Sequence, residues 1–367
     1  MTSTNQISLS KVYINKEIRK AVLSALNSGQ YILGKECRAF EEEFAAFIGT
    51  KYAVLIGSGT AALWLALIAL EVKVKDEIIV PSLTAFPTIE PILAIGAKPV
   101  FVDSDSTYTI DPSKIEEKIT KKTKGIIPVH LYGHPANMNK IQKIARNHKL
   151  FVLEDCCQAH GARFENKRVG SMGIAGCFSF YPSKNLTVCG DGGMITTDNK
   201  SLAQALRMLR DHGRSSKYIH SVLGYNERFN EIQAAIGRVN LRRLGDYNEQ
   251  RRQVAAWYCK LLYGFPLELP HEASWARHIY HMFVIRLKER DKLKLLLKSK
   301  EIETGIHYPI PCHRQPAFTR HFSRAVVMPV VDSYVKQVIS LPIHPGLSGK
   351  SVQRVAKTIR NFFCYGY

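Results

Sequence analysis

Short, almost uninterrupted apolar runs recur along the first half of the chain, each followed by a longer segment of mixed character. Tyr52-Ala53-Val54-Leu55-Ile56 reads as a strand and Ala61–Leu70 as the helix behind it. Glu77–Val80 predicts a second strand, with a helix near Thr88–Ile95. Pro99–Asp103, Gly125–Val129, Phe151–Glu154 and Ile174–Phe180 read as further strands, and Met138–His148 as a helix. Val/Ile-rich runs with no polar alternation belong to strands covered on both faces, and helical crossovers between them make the sheet mostly parallel. The fold class is therefore α/β.

The pattern changes further along. Gly190-Asp191-Gly192-Gly193 predicts a tight turn before a strand at Met194–Thr197. From Asn230 to Leu262 the chain reads as helical and basic. Beyond it, His281–Ile285 suggests a strand and Asp291–Lys300 a helix. These mark a large domain over 1–245, with an N-terminal arm, and a smaller C-terminal α+β domain over 246–367. No internal repeat or low-complexity tract stands out.

Composition adds limits. A chain of 367 residues, 46% hydrophobic and 22% charged, suits a soluble enzyme with room for two domains. Fifty-one Lys and Arg against 31 Asp and Glu give a formal charge of +20, which favours phosphate-bearing partners. The basic residues are dispersed and do not interleave with aromatics, so nucleic acid is not an expected partner. The 8 cysteines include no CxxC pair and read as buried thiols in a reducing compartment. Cys156 and Cys157 would point to opposite faces of a strand, and no metal site is expected. The polar start carries no signal peptide pattern, and the longest apolar run, Ala61–Leu70, is too short for a bilayer. A cytoplasmic protein without a membrane partner is the expectation.

Gly57-Ser58-Gly59-Thr60-Ala61-Ala62, between a strand and a helix, fits the G-x-G-x-x-A dinucleotide pattern. That reading needs an acid at the end of the next strand, where this chain has Pro81-Ser82-Leu83-Thr84. What survives is a helix N-terminus whose free N–H groups suit an anion. Asp155 closes an apolar strand, at the end that faces the ligand crevice of a parallel sheet. An ionised carboxylate there keeps a pyridine nitrogen protonated, and Gln158 is placed to reach a ring hydroxyl. Lys184 follows Phe178-Ser179-Phe180, and Ser179 offers a hydroxyl for phosphate. An amine in a partly dry pocket beside a cationic ring becomes a nucleophile and then a base, fit to form a Schiff base with an aldehyde cofactor. The cofactor these groups ask for is pyridoxal 5'-phosphate.

The assembled motifs extend the match over nearly the whole chain. They include Gly34 to Phe47, Ser58 to Leu63, Val80 to Thr84, Pro128 to Gly133, Glu154 to Ala162, Phe178 to Asn185, Gly190 to Gly193, Gly224 to Ala235, His307 to Pro311 and Leu341 to Pro345. With them the chain resembles the nucleotide-sugar aminotransferases, the DegT/StrS-type family of pyridoxal-phosphate enzymes with the type I, aspartate-aminotransferase fold. The resemblance implies a large domain whose mostly parallel seven-stranded sheet is flanked by helices, and a homodimer with shared active sites. It implies that Lys184 carries the cofactor and shuttles a proton, that Asp155 pairs with the pyridine nitrogen, and that Gln158 meets the phenolic oxygen. Gly59, Thr60, Ala61 and Ser179 would hold the phosphate, with Asn226 reaching it from the other subunit. Arg228 would lie near that interface, as a salt bridge or as a substrate contact.

Two departures qualify the match. Many relatives place an aromatic directly after the threonine matching Thr84, where it stacks on the cofactor ring; here Ala85 stands there and Phe86, the next residue, is the candidate to replace it, although on a strand it would point to the other face. The segment from His307 to His313 resembles the substrate loop of relatives that aminate C3, so Tyr308 and His313 either touch the sugar or pack the small domain. A sister group carries histidine at the lysine position and dehydrates its substrate, so Lys184 argues for transamination. The implied reaction passes nitrogen from an amino acid, glutamate, through pyridoxamine 5'-phosphate to the keto-sugar of a nucleoside-diphosphate sugar. The alternatives are another pyridoxal reaction on the same scaffold, or a non-catalytic regulator that senses sugar nucleotides. A regulator would lack the lysine or carry a helix-turn-helix segment, and neither applies to this chain.

Overall fold

The computed structural model describes residues 6–322 and 326–365. Its first nine strands are Tyr52–Ile56 (β1), Glu77–Pro81 (β2), Lys98–Val102 (β3), Thr123–Ile126 (β4), Phe151–Asp155 (β5), Arg163–Phe164 (β6), Lys167–Arg168 (β7), Ala175–Ser179 (β8) and Gly193–Thr197 (β9). Seven of them form one sheet in the order β1-β9-β8-β5-β4-β2-β3. Only β9 runs against its neighbours, pairing antiparallel with β1 and β8, and the other pairings are parallel. Every residue of β2 and of β9 is buried, as strands covered on both faces are.

The flanking helices of this half are Lys16–Asn27 (α1), Lys35–Ile48 (α2), Gly59–Ala69 (α3), Glu90–Ala94 (α4), Met138–Asn147 (α5), Lys200–Leu209 (α6) and Glu231–Leu262 (α7). Five of them start at a residue whose side chain accepts a free backbone N–H: Asn15, Ser58, Asn137, Asn199 and Asn230. The helix expected near Thr88–Ile95 is divided. Pro87 and Pro91 lack N–H groups, and the segment becomes a 3₁₀ turn at Phe86–Thr88 followed by the short α4. The strand expected at Gly125–Val129 leaves the ladder after Ile126, and Val129 keeps a single bridge, to Asp155.

Helix α7 spans 32 residues and runs unbroken across position 245. Its first part packs on α1 and α2. Its last turns, from Val254 to Leu262, enter a separate apolar cluster. The remaining strands are Arg214–Ser216 (β10), Ile219–His220 (β11), Ala276–Arg277 (β12), Phe283–Arg286 (β13) and Val338–Leu341 (β14); the remaining helices are Arg290–Ser299 (α8), Pro316–Thr319 (α9), Pro329–Gln337 (α10) and Gly349–Tyr365 (α11). That second cluster lies among α7, α8, α11 and the antiparallel pair β13–β14. β12 adds an edge to the β6–β7 hairpin. Among the described residues no helix is long and apolar enough to cross a membrane.

Candidate active site

A cavity of about 230 Å³ opens where β5 and β8 end and α3 begins. The sheet delivers Asp155 and Ser179 there as the last residues of their strands, the position at which parallel sheets hold ligands. Helix α3 contributes its N-terminus. Ser58 caps it by accepting the Ala61 N–H at 3.0 Å. The N–H groups of Gly59 and Thr60, in the first turn, have no carbonyl behind them in the helix, which makes this end an anion cradle. Only glycine fits at position 59, where a Cβ would stand 2.5 Å from Ser179 Cβ.

Asp155 is 4% exposed and holds two hydrogen bonds. Oδ1 accepts the Cys157 N–H at 3.1 Å, and Oδ2 accepts the Thr88 hydroxyl at 2.8 Å. Thr88 Oγ1 also lies 2.9 Å from Thr84 Oγ1. A carboxylate has no proton to give, so Thr88 must donate to Asp155, and Thr84 must then donate to Thr88. Onto a carboxylate the buried chain Thr84→Thr88→Asp155 therefore runs in one direction.

Lys184 sits one turn past β8, its N–H bonded to the Tyr181 carbonyl at 2.8 Å. Burial lowers the pKa of its amine, against the opposing pull of Cys157 and Asp155. Gln158 is held at both ends. Its Oε1 accepts the Tyr132 N–H at 2.8 Å, and its Nε2 donates to the Tyr308 hydroxyl at 2.9 Å. Tyr132 in turn donates its hydroxyl to the His307 carbonyl, so the substrate-loop candidate is tied to the cavity wall from two sides. Burial pushes the Tyr308 phenol up, keeping it neutral. His160, absent from the sequence-based candidates, is packed between Phe178 and Phe180, with burial and then the Lys184 charge bringing its pKa down to about 3.

Gly59, Thr60, Asp155, Gln158, Ser179 and Lys184 thus line one cavity. Ala61 lies one step inside the helix, its N–H spent on Ser58. Phe86 does not line the cavity. The 3₁₀ turn that Pro87 starts sends Phe86 against the core, away from its expected place, and leaves Ala85 and Pro87 on the wall. Asn226 and Arg228 lie outside the cavity within this chain. Arg228 Nε donates to Asn226 Oδ1 at 3.0 Å, and its guanidinium stands 3.6 Å from Asp211.

His313 is also elsewhere. It is 3% exposed, with Nδ1 at 2.5 Å from Ser82 Oγ and Nε2 at 3.4 Å from Asp332. The arrangement has the residues of a hydrolytic triad, but Ser82 is 0% exposed and no substrate can reach it. This histidine clasps its loop onto the end of β2, with Cys312 N–H on the Ser82 carbonyl at 3.1 Å. Of the two roles open to His313, these contacts favour packing.

His130, Glu154 and Cys156 place potential metal ligands within 4.8 Å of one another. Their hydrogen bonds leave little for an ion. Glu154 accepts from Gly170 N at 2.8 Å, Met172 N at 2.8 Å and Gly173 N at 2.7 Å, and lies 3.0 Å from His130 Nε2. His130 Nδ1 accepts the Ala136 N–H at 3.0 Å, so its proton sits on Nε2 and points at Glu154. Burial pushes Glu154 up, yet the hydrogen bond from His130 and the backbone donors outweigh it and bring the pKa below the usual carboxylate value.

An anion-binding helix end, a carboxyl group and an amine on one cavity wall fit pyridoxal phosphate. The cradle at Gly59 admits a phosphate where any side chain would collide. Similar proteins agree with this chemistry. The chain is 44% identical over 348 residues to an Acidithiobacillus ferrooxidans protein named UDP-N-acetyl-3-dehydro-alpha-D-glucosamine 3-aminotransferase, covering 95% of this chain and 94% of that one. It is 44% identical over 353 residues to the dTDP-3-amino-3,6-dideoxy-alpha-D-galactopyranose transaminase of Aneurinibacillus thermoaerophilus, covering 96% of each. The crystal structure of DesV from S. venezuelae in complex with a ketimine intermediate superposes with a TM-score of 0.95 at 40% identity, over 98% of this chain and 99% of that one. The sequence model of the DegT/DnrJ/EryC1/StrS aminotransferase family matches residues 12–360, and the chain belongs to that family.

Proposed function

We propose that this aminotransferase moves an amino group from glutamate to C3 of a keto-sugar linked to a nucleoside diphosphate. Pyridoxal phosphate, when bound, supplies the electron sink and carries the nitrogen between the two half-reactions as its pyridoxamine form. The observation that carries the reading is the convergence of Lys184, Asp155 and the α3 N-terminus on one cavity. The Lys184 amine, its proton loosened by burial, acts as nucleophile and then holds and returns a proton at Nζ. Asp155, held by the Thr88 hydroxyl, orients a ring nitrogen, and Gln158 presents its amide between that ring and Tyr308. Gly59, Thr60 and Ser179 take the phosphate. Tyr308 faces the sugar, while His313 fixes the loop that carries it.

The C3 position rests on the relatives, whose names specify 3-amino sugars. A homodimer completes the site. Tyr218, Ile219 and Leu223, at and beyond the β10–β11 hairpin, are 81%, 61% and 82% exposed, an apolar surface suited to a second copy. Asn226 and Arg228 then serve the partner's cavity. Residues 1–245 act as the cofactor-binding domain and 246–367 as the small domain, in the cytoplasm, with the product destined for surface polysaccharide such as lipopolysaccharide O-antigen, or for a glycosylated metabolite.

The test uses labelled glutamate with a panel of 3-keto and 4-keto sugars on uridine and thymidine diphosphate. Label is expected on the sugar at C3, and borohydride treatment of the loaded protein is expected to fix the cofactor on the Lys184 peptide. Label that never leaves glutamate, or an adduct on another lysine, sinks the reading.

A further inference from the structure

A second cleft, of about 300 Å³, lies beside the β6–β7–β12 sheet. Register decides what faces it. Arg163 on β6 is directly opposite Arg168 on β7 and also directly opposite Arg277 on β12. Directly opposed residues of antiparallel strands share a face, so the three guanidinium groups stand in one row. The alternate face carries Phe164, buried against Trp275 with ring centroids 5.0 Å apart. A slip of one residue would expose that aromatic and bury the arginines, so the row is locked by the core beneath it.

Like charges directly opposite on neighbouring strands are destabilising, and this row is barely compensated. Arg277 pairs with Glu249. Arg168 lies over the Phe47 ring at 4.3 Å, and burial followed by the Arg163 charge lowers its pKa. Arg163 has no carboxylate and no hydrogen-bond partner among the described residues. Glu165, in the hairpin turn, is exposed and accepts from Asn139, and Lys167 shares the face of Phe164. One acid therefore serves three cations around the cleft. On its floor lies Asn248, whose Oδ1 accepts from Asn185 and whose Nδ2 donates to the His160 carbonyl, at 2.9 and 2.8 Å.

We propose that Arg163, Arg168 and Arg277 form a binding site, separate from the Lys184 cavity, for a small phosphate-bearing molecule with at least two negative charges. Guanidinium groups match phosphate oxygens two at a time, and an anion seated between them removes the repulsion that the register imposes. Asn248 and Asn185 place this cleft against the wall that carries Lys184.

The cofactor-loaded protein is titrated calorimetrically with inorganic pyrophosphate at low chloride, and in parallel with uridine diphosphate. Equal affinities identify a site for the free diphosphate, and tighter binding of the nucleotide identifies a nucleotide site only in so far as the arginine variants lose it, since the Lys184 cavity is itself proposed to take a nucleoside diphosphate. The pair Arg163→Gln and Arg168→Gln is expected to weaken pyrophosphate binding at least tenfold while leaving basal turnover unchanged. Arg163→Gln alone, which removes no contact within the chain, is expected to weaken it several-fold and guards against misfolding of the pair. A control pair, Lys350→Gln and Lys357→Gln on α11, removes the same charge and is expected to leave binding intact. Absence of binding in the wild type, equal binding in the arginine variants, or an equal loss in the α11 control overturns the proposal.

Discussion

Glu154 and Asp155 are adjacent on β5, both carboxylates and both buried, yet alternation sends them to opposite faces and to opposite uses. Glu154 is surrounded: three backbone N–H groups of the 170–173 loop and the Nε2–H of His130 occupy its oxygens. Asp155 receives only two donors, and the rest of its environment is the cavity. Identical chemistry is a cross-link on one side of the strand and an acceptor left open to a cavity on the other. What separates them is whether the protein itself fills the acceptor sites. A buried polar group with open capacity on a cavity wall marks function better than burial or charge alone.

The sharpest way to break the comparison is to remove one group on each side. Lys184→Ala, on the cavity face, is expected to lower turnover by about 1,000-fold or more, since both nucleophile and proton carrier disappear. The denaturant midpoint is expected to hold, because a buried amine without an ion pair contributes nothing that its loss would remove. Glu154→Gln should do the reverse. Whichever way the amide is turned, its NH₂ meets an N–H donor, and the expected loss is about 3 kcal/mol, read as a lower midpoint at constant slope. Turnover per folded molecule stays near wild type. A Glu154→Gln protein with unchanged stability would remove the distinction between the two faces.

Acidity separates the same two faces. The Glu154 pKa is depressed in the fold, so its stabilisation is present above the ordinary carboxylate range and disappears as pH falls through the folded value. The stability gap between wild type and Glu154→Gln should therefore close in acid. Buried histidines act earlier. His134 and His307 have pKa values of about 4, through burial first, and His160 about 3. The unfolded chain takes up these protons below about pH 6.5 and the native fold does not, so stability should fall from there toward pH 4, equally in both proteins. Unfolding curves across pH 7 to 3 check both windows.

Much of this is legible in the sequence. The strand at Tyr52–Ile56 has the predicted bounds, and β5 exceeds its prediction by one residue, because burial on both faces leaves unbroken apolar runs. Asp155, Gln158, Ser179 and Lys184 were readable because their motifs are local and end strands. What stayed hidden depends on distant partners. Thr88 meets Asp155 across 67 residues and Gln158 meets Tyr308 across 150, contacts that no local pattern announces. The packing of His313 was not legible because Ser82 lies 231 residues away in sequence. The arginine row depends on the register of two-residue strands, below the length at which periodicity carries information.

The finest cut through the comparison is at Thr88, whose single proton decides how Asp155 is presented. Thr88→Val keeps the shape and deletes the donor, leaving Oδ2 of a buried carboxylate unpaired toward that side. A hydrogen bond to a charged group is worth about 1.5–3 kcal/mol, so pyridoxal phosphate should dissociate roughly tenfold more readily from the variant in equilibrium dialysis. Thr88→Ser restores the hydroxyl and should restore retention, which a loss of packing would not. Thr84→Val leaves the Thr88–Asp155 bond in place and removes only the proton that orients it, so its effect should be smaller in the same assay. The order wild type, Thr88→Ser, Thr84→Val, Thr88→Val follows from a chain with one direction. If Thr84→Val costs as much as Thr88→Val, or if serine fails to rescue, the hydroxyls are packing groups and Asp155 owes its role to its place on the strand alone.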